Sequence, residues 1–120
     1  MNIYVQTQGF NATPAMEAHV RKQLSRNLAS AEDHIMAVDI FLGDINGPKG
    51  GVDKKAGVCV QLASRDAIRV EVVHTDLYAA ITIAARKSKR AVKRTVQRHK
   101  RVERRKIRHL RHFQGELAAG

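Results

Sequence analysis

The sequence lacks the features that a secreted, membrane-spanning or disulfide-stabilised protein needs. Cys59 is its only cysteine, so no intrachain disulfide can form. The opening residues, Met1-Asn2-Ile3-Tyr4-Val5, contain neither the basic nor the apolar region of a signal peptide. No apolar run approaches the roughly 20 residues of a transmembrane helix. These absences predict a cytoplasmic protein, and the length of 120 residues predicts one domain with, at most, an extension.

Residue patterns typical of catalysis, nucleotide binding and metal binding are also missing. No paired carboxylates, and no nucleophile with its base, indicate an enzyme. The stretch Gly47-Pro48-Lys49-Gly50-Gly51 is not followed by Lys-Ser or Lys-Thr and a helix, as a phosphate-binding loop requires. His99, His109 and His112 lie among cations without an acidic or cysteine ligand, which disfavours a divalent ion. We therefore expect no enzymatic activity, metal, cofactor or small-molecule substrate.

Acidic residues are nearly absent from the last third of the chain, where basic residues concentrate. Residues 86–111 contain 14 lysines and arginines but a single acid, Glu103. Residues 1–85 hold 8 basic and 9 acidic side chains, so the formal net charge of +11 arises in the C-terminal third. Such a positive field attracts phosphate backbones or anionic membranes. The charge pattern therefore predicts a polyanionic partner.

The first 30 residues predict a strand followed by an amphipathic helix. Ile3 and Val5 alternate with more polar neighbours, which predicts a strand over residues 2–7. Thr13 is a good N-cap, and Pro14 suits the first helical position, where no backbone donor is needed. Four apolar residues then recur at four-residue spacing along one helix face, namely Met16, Val20, Leu24 and Leu28.

Three more strands are predicted after this helix, each from alternating apolar residues. These residues are Met36, Val38, Ile40 and Leu42 in the first, Val58, Val60 and Leu62 in the second, and Ile68, Val70 and Val72 in the third. The glycine-rich segment Gly43 to Ala56 is predicted to be a mobile loop carrying Lys49, Lys54 and Lys55. A polar turn at residues 64–67 precedes the last strand, so the three strands should form an antiparallel meander.

The spacing becomes helical again from Thr75 or Asp76, and no glycine or proline interrupts it before Gly115. The inward stripe is Leu77, Ala80, Ile81, Ala84, Ser88, Ala91, Val92, Thr95 and Val96. A helix reaching roughly Phe113 would be about 55 Å long, whereas a strand spans about 20 Å. The first five turns or so should pack on the sheet, and the rest should extend beyond it as a cationic rod. The order β-α-β-β-β-α predicts an α+β two-layer sandwich, a four-stranded sheet with two helices packed on one face.

Two short segments in this element order resemble a known family. They are Thr13-Pro14-Ala15-Met16 at the first helix and Asp76-Leu77-Tyr78-Ala79-Ala80-Ile81 at the second, followed by basic residues that include Lys87 and Arg90. They are similar to the bacterial ribosome hibernation factor family, also called the ribosome-associated inhibitor family, over residues 1 to about 100. The resemblance implies a factor that sits in the channel of the small ribosomal subunit, where messenger and transfer RNA bind, and inhibits translation during stress or stationary phase. Its implied partners are that subunit and its ribosomal RNA.

The chain departs from this family in two places. The family often carries Lys-His-Lys near the end of its core helix, whereas here Arg98-His99-Lys100 stands about one turn later. Long family members add a dimerising C-terminal domain, whereas residues 101–120 here form only a basic tail. We therefore predict a hibernation factor-like domain over residues 1–100 and a basic C-terminal extension over residues 101–120, as in a short form.

The predicted RNA contacts lie mainly on the second helix, because its cations lack the acidic neighbours that usually stabilise an exposed helix. Like charges at four-residue spacing repel, and a polyanion would remove that repulsion while releasing counterions. The residues assigned to RNA are Arg86, Lys87, Lys89, Arg90, Lys93, Arg94, Arg98, Lys100 and Arg101. Arg21, Lys22 and Arg26 of the first helix, like the loop lysines, either extend this surface or are ordinary solvated charges. Tyr78 is predicted to pack against the sheet or the helix start, with stacking on a base as the alternative. Cys59 is predicted to be a small buried hydrophobe.

Two other binding functions match part of the pattern. The order α-β-β-β-α after the first strand parallels double-stranded RNA-binding domains, which read RNA shape. A basic helix also suits a membrane surface, but the far half of this one offers chiefly Val102, Ile107, Leu110 and Phe113 as apolar residues. Ribosome binding is the leading interpretation, a general structured-RNA-binding module is the alternative, and no membrane partner is expected.

Overall fold

The chain forms a two-layer α+β sandwich in which one sheet carries both long helices on the same face. In the computed structural model the elements are β1 (Asn2–Gln8), α1 (Pro14–Leu28), a 3-10 helix (Ala29–His34), β2 (Ile35–Asp44), β3 (Lys54–Leu62), β4 (Ala67–His74) and α2 (Leu77–Ala119). The structure describes residues 1–45 and 53–119, with side chains described as far as residue 108. The predicted fold class and element order are confirmed.

The sheet is mixed, because its first strand runs parallel to its neighbour. The strand order is β1-β2-β3-β4, with β1 parallel to β2 and antiparallel pairing elsewhere. A parallel pair requires a connection that returns the chain to the same end of the sheet, and α1 provides it. The antiparallel meander predicted for the last three strands is confirmed. Antiparallel pairing does not extend to β1, because the α1 crossover makes β1 run in the same direction as β2.

The start of α1 follows from its capping residues. Thr13 Oγ1 accepts a hydrogen bond from the Met16 backbone N–H at 3.2 Å, and Pro14 occupies the first turn. The predicted stripe then faces the sheet, where Val20, Leu24 and Leu28 are at most 1% exposed. Met16 is only partly buried, at the edge of the core.

The inward strand residues form the sheet side of the core, with one exception to the predicted pattern. Val38 and Ile40 are buried as predicted, but Met36 is 62% exposed. The β2–β3 register shifts between Ile35 and Ala37, so Ile35 takes the inward position. The prediction that Met36 belongs to the buried stripe is wrong, because this β-bulge reverses the alternation.

The strands β2 and β3 extend further than predicted, and the extension changes the environment of two lysines. Lys54 and Lys55 lie in β3, where Lys54 Nζ is 2.9 Å from Asp44 Oδ2 and Lys55 Nζ is 3.4 Å from Glu71 Oε1. The hydrogen bond to Asp44 is the main cause that raises the pKa of Lys54. Their assignment to a mobile loop is therefore wrong, since cross-strand acids hold them. Lys49 lies outside the described residues.

Cys59 lies on the sheet face opposite the helices. It is half-buried, is paired in register with Arg69 of β4, and follows Val58, which points into the core. Because successive strand residues point to opposite faces, Cys59 cannot join the core. The prediction of a buried hydrophobe is wrong for this residue.

The helix α2 begins at a capped turn and buries a narrow stripe. Asp76 Oδ1 accepts a hydrogen bond from the Tyr78 backbone N–H at 3.2 Å. The fully or almost fully buried residues are Leu77, Ala80, Ile81, Ala84, Ala85, Ser88 and Val92. Ser88 donates its hydroxyl hydrogen to the Ala84 carbonyl at 2.8 Å, so this buried group has a partner. Tyr78 packs edge-on against His19, with ring centroids 5.1 Å apart.

The sheet supports only the first part of α2. Val96 still packs against the core, whereas every side chain described from Gln97 onward is exposed. The last described hydrogen bond between α2 and the sheet layer joins His99 Nε2 to Asp66 Oδ2 in the β3–β4 turn. The protein is 75 Å long but only 23 Å and 17 Å across, as the predicted overhang requires. The helix ends at Ala119, beyond the predicted end near Phe113.

A pair of isoleucines tests this division of α2. Ile81 is fully buried, whereas Ile107 is 49% exposed. Replacing Ile81 by Ala should lower the free energy of unfolding by about 2–5 kcal/mol, because it leaves a cavity. The same substitution at Ile107 should change it by less than about 0.5 kcal/mol. Urea unfolding measures both variants, and equal losses would show that the overhang is packed.

The contact between Asp66 and His99 predicts a pH dependence. The hydrogen bond from His99 is the main cause that lowers the pKa of Asp66. A carboxyl with a lowered folded pKa stabilises the fold above its unfolded pKa of about 3.9, and this contribution disappears as the pH falls through the folded value. Wild type should therefore be more stable than Asp66→Asn at pH 7, and the difference should vanish in acid. Asp33→Asn, at another exposed acid, is the control in the same urea titrations. A difference that persists in acid would contradict this origin.

Candidate nucleic-acid interface

The cations predicted on α2 all lie on its solvent side. Each of the nine is exposed: Arg86, Lys87, Lys89, Arg90, Lys93, Arg94, Arg98, Lys100 and Arg101. They alternate with the buried stripe because 3.6 residues complete a helical turn, so Ser88 and Val92 face inward while their neighbours face outward. Packing of α2 on the sheet thus presents the nine residues on one helical surface.

The positive charge of this surface is not neutralised by any side chain in the described part of the protein. Among the residues whose side chains are described, no salt bridge joins any of the nine cations to an acid. Asp44 and Glu71 form salt bridges with Lys54 and Lys55 instead, and Asp66 pairs with His99. Arg98 forms no described salt bridge with Asp66, although its charge helps to lower the pKa of that carboxyl. The surface therefore has the uncompensated field that attracts a polyanion.

The overhanging part of α2 continues the same charge. Its described cations, Arg104, Arg105, Lys106 and Arg108, are all exposed. Two apolar residues of this segment are also exposed, Val102 at 40% and Ile107 at 49%. Since like charges at this spacing destabilise an isolated helix, an anionic partner would stabilise this segment.

The cations of α1 are also exposed, and they lie on a helix beside α2. His19 Nε2 is 3.1 Å from Thr82 Oγ1 and 3.2 Å from the Tyr78 carbonyl, which joins the two helices near their starts. The strand directions make α1 and α2 run the same way along the sheet. Arg21, Lys22 and Arg26 are exposed on this neighbouring helix. The structure does not link them to the α2 cations by any described hydrogen bond.

A groove with a volume of about 400 Å³ separates α2 from the end of α1 and the 3-10 helix. Lys89, Lys93 and Lys100 form its α2 wall. Asn27, Ser30 and His34 contribute the polar groups of the opposite wall. Apolar side chains, including Leu28, Ala31, Val92 and Val96, form the floor, and no acid lines the groove. Periodicity did not indicate Asn27, Ser30 or His34, because their approach to α2 is a tertiary contact.

The opposite face of the sheet carries a different kind of cavity. It has a volume of about 210 Å³ and is lined by side chains that include Asp39, Phe41, Cys59, Arg69 and Glu71. Acids and bases alternate there, so this cavity has no preference for a polyanion. The α2 surface and the adjoining groove are therefore the candidate interface.

Neither a metal cluster nor a membrane span occurs in the described part of the chain. It contains no cluster of three metal-ligating side chains, and His99 is engaged with Asp66. The side chains of His109 and His112 lie outside the described residues. No helix there is long and apolar enough to cross a membrane.

Comparisons with known proteins identify relatives of this fold. The family model described as sigma 54 modulation protein / S30EA ribosomal protein matches residues 3–100. The crystal structure of the Thermus thermophilus Protein Y N-terminal domain is 30% identical, with a TM-score of 0.66, and covers 79% of this chain and 99% of that one. A ribosomal subunit interface protein from Coxiella burnetii is similar in fold, with 20% identity, a TM-score of 0.69, and coverage of 81% and 99%. A comparison with curated proteins gave no match.

The family match confirms the resemblance read from the two short segments. It includes Thr13–Met16, Asp76–Ile81 and all but Arg101 of the nine predicted α2 cations. A family of ribosome-associated proteins also agrees with the expectation that the chain is not an enzyme. The chain belongs to the sigma 54 modulation protein / S30EA ribosomal protein family.

Proposed function

We propose that this protein binds the small ribosomal subunit in the channel for messenger and transfer RNA, and inhibits translation under stress or in stationary phase. The observation that carries the proposal is the exposed cationic surface of α2, which no salt bridge neutralises within the described side chains. Ribosomal RNA offers the phosphates that such a surface attracts. Cytoplasmic ribosomes are the site of action, and no cofactor, small-molecule substrate or membrane is involved.

The fold suits this function because it holds the cations in a fixed arrangement. Leu77, Ile81 and Val92 are buried, so α2 cannot rotate without exposing them. The cations between Arg86 and Lys93 therefore keep their direction before RNA binds. Preorganised charges lose less side-chain and backbone freedom on binding than charges on a disordered segment. In this proposal the nine α2 cations are the main contacts, and Arg21, Lys22 and Arg26 extend them.

We also propose a division of labour along the chain. Residues 1–100 form the domain that docks on the subunit, and residues 101–120 form a basic extension that adds phosphate contacts. The family match ends at residue 100, and the last described hydrogen bond from α2 to the sheet layer is at His99. The extension thus lies outside both the family pattern and the core.

Sedimentation with ribosomes tests the proposed function. The protein should co-sediment with isolated small subunits and lower the yield of a reconstituted translation reaction when added in stoichiometric excess. Free double-stranded RNA serves as the competitor, because a general duplex-binding module would prefer it. An unchanged translation yield, or binding that free duplex removes as readily as unlabelled subunits do, would reject the proposal.

Neutralising part of the α2 surface should weaken binding and change its salt dependence. Replacing Lys87, Arg90, Lys93 and Arg94 by Gln should leave the fold intact, because all four are exposed. The slope of log affinity against log salt should become shallower by roughly 0.7–0.9 for each phosphate that the variant no longer neutralises. Arg65→Gln with Arg69→Gln, exposed cations of the β3–β4 turn and of β4, is the control for charge alone. Equal changes per removed charge in both variants would show that α2 has no special role.

Truncation after Lys100 tests the role of the extension. Because the described side chains beyond this residue are exposed, the shortened chain should keep its free energy of unfolding within about 1 kcal/mol. Its affinity for small subunits and the salt dependence of that affinity should both fall, since exposed cations are removed. Thermal melts and binding titrations of both chains measure these effects. A loss of several kcal/mol would instead place the extension in the folded core.

A further inference from the structure

The groove beside α2 combines two features that a simple charged surface does not need. Its α2 wall carries Lys89, Lys93 and Lys100, which are exposed. Its floor is apolar, with Val96 half-buried and Val92 fully buried beneath it. Phosphate recognition alone requires only cations, whereas an apolar floor flanked by polar groups suits a planar ring. The groove thus matches a ligand with a charged and an apolar part.

The wall opposite α2 is held in place by contacts of its own. The Ala63 N–H donates to the His34 carbonyl at 2.8 Å, which ties the end of the 3-10 helix to the sheet layer. The N-terminal ammonium lies 3.5 Å from Glu32 and ties the same helix to β1. Asn27 Nδ2 donates to the Gln23 carbonyl at 2.7 Å, which leaves Asn27 Oδ1 as an acceptor. The groove is therefore formed before a ligand arrives.

We propose that this groove receives one unpaired nucleotide of an RNA strand. The phosphate lies beside Lys89, Lys93 and Lys100, and the base packs on the floor at Val96 and Ala31. Asn27, Ser30 and His34 line the far side and offer hydrogen bonds to the edge of the base. This inference rests on the proposed function, since RNA is the partner in both. It adds the feature that is recognised, an unpaired nucleotide rather than regular duplex.

Size and charge favour a nucleotide within a strand. About 400 Å³ is near the lower end of small-molecule sites and suits one nucleotide rather than a base pair. The cations continue past the groove, where Gln97, Lys100, Arg101 and Arg104 line the next depression. From Lys89 to Arg104 the helix rises by about 22 Å, more than one nucleotide requires. A strand supplies neighbouring phosphates for this row, as in other grooves that follow a nucleic acid backbone.

Two RNA hairpins test the inference with the full-length protein. Both are closed by a non-nucleotide linker, so neither has an unpaired loop base. One stem is fully paired, and the other differs only by a single bulged nucleotide. The wild-type protein should bind the bulged hairpin about tenfold more tightly, because only that hairpin can place a base in the groove without breaking a pair. Fluorescence anisotropy titrations measure both affinities, and this comparison needs no variant. Equal affinities would overturn the inference, whether or not the protein co-sediments with ribosomes.

A matched pair of substitutions assigns the preference to the groove. Ser30 lines the groove and Ser25 does not, yet both are exposed. Ser30→Phe should fill the groove and reduce the preference for the bulged hairpin from about tenfold to below about twofold, while the salt dependence stays unchanged because no charge is removed. Ser25→Phe should keep the preference. Retention of the preference by Ser30→Phe would overturn the inference.

A third titration separates the strand from a free nucleotide. AMP should compete with the bulged hairpin only at concentrations far above the hairpin's own dissociation constant, because it offers one phosphate to the row of cations. Competition by AMP at a similar concentration would overturn the assignment to RNA and make the groove a mononucleotide site. If the hairpin preference holds but ribosome co-sedimentation fails, the proposed function is wrong and the groove inference stands.

Discussion

The packing of one apolar stripe of α2 on the sheet is the interaction on which the rest of the molecule depends. Ala80, Ile81, Ala84 and Val92 are completely buried, and Ser88 is buried among them with its hydroxyl bonded to the helix backbone. Small residues on this stripe let the helix approach the strands closely. Once the stripe faces the sheet, the rotation of the helix about its axis is fixed. Every residue between the stripe positions must then face solvent or α1, and the nine basic residues of α2 from Arg86 to Arg101 occupy such positions.

The distribution of acids explains why this surface keeps its field. The strands carry their own lysines close to acids, as in the pair formed by Lys54 and Asp44. Few acids are left near α2, and Asp66 is in contact with His99. Repulsion among the α2 cations opposes folding, but burial of the stripe offsets it over the first turns. The domain therefore presents a surface whose charge is more favourable with a polyanion bound than without one.

The difference in length between helix and sheet divides the cations into two groups. Those up to about Lys93 are fixed by the core beneath them, whereas those beyond His99 lie on the exposed part of the helix, after its last described hydrogen bond to the sheet layer. The first group can recognise a particular arrangement of phosphates. The second group depends on its partner for support, because an isolated helix of like charges is weak. The part of the groove from Lys89 to Val96 lies within the supported part, whereas Lys100 stands at its unsupported end.

Much of the fold follows directly from the sequence. The cap at Thr13 and the helical spacing that begins at Thr75 or Asp76 predicted where α1 and α2 begin. The two helical stripes predicted which faces they bury, because these signals are local. The charge of residues 86–111 likewise predicted a polyanionic partner.

Tertiary structure alone decided the position of Met36, which a β-bulge turns outward. It also decided the surroundings of Lys54 and Lys55, which pair with acids of β2 and β4. It also made the groove, since Asn27, Ser30 and His34 meet Lys89 and Lys93 only after the α1 crossover lays both helices side by side on the sheet. Periodicity reports which face of an element is buried. Register and topology determine which residues meet across elements, and no local pattern records that.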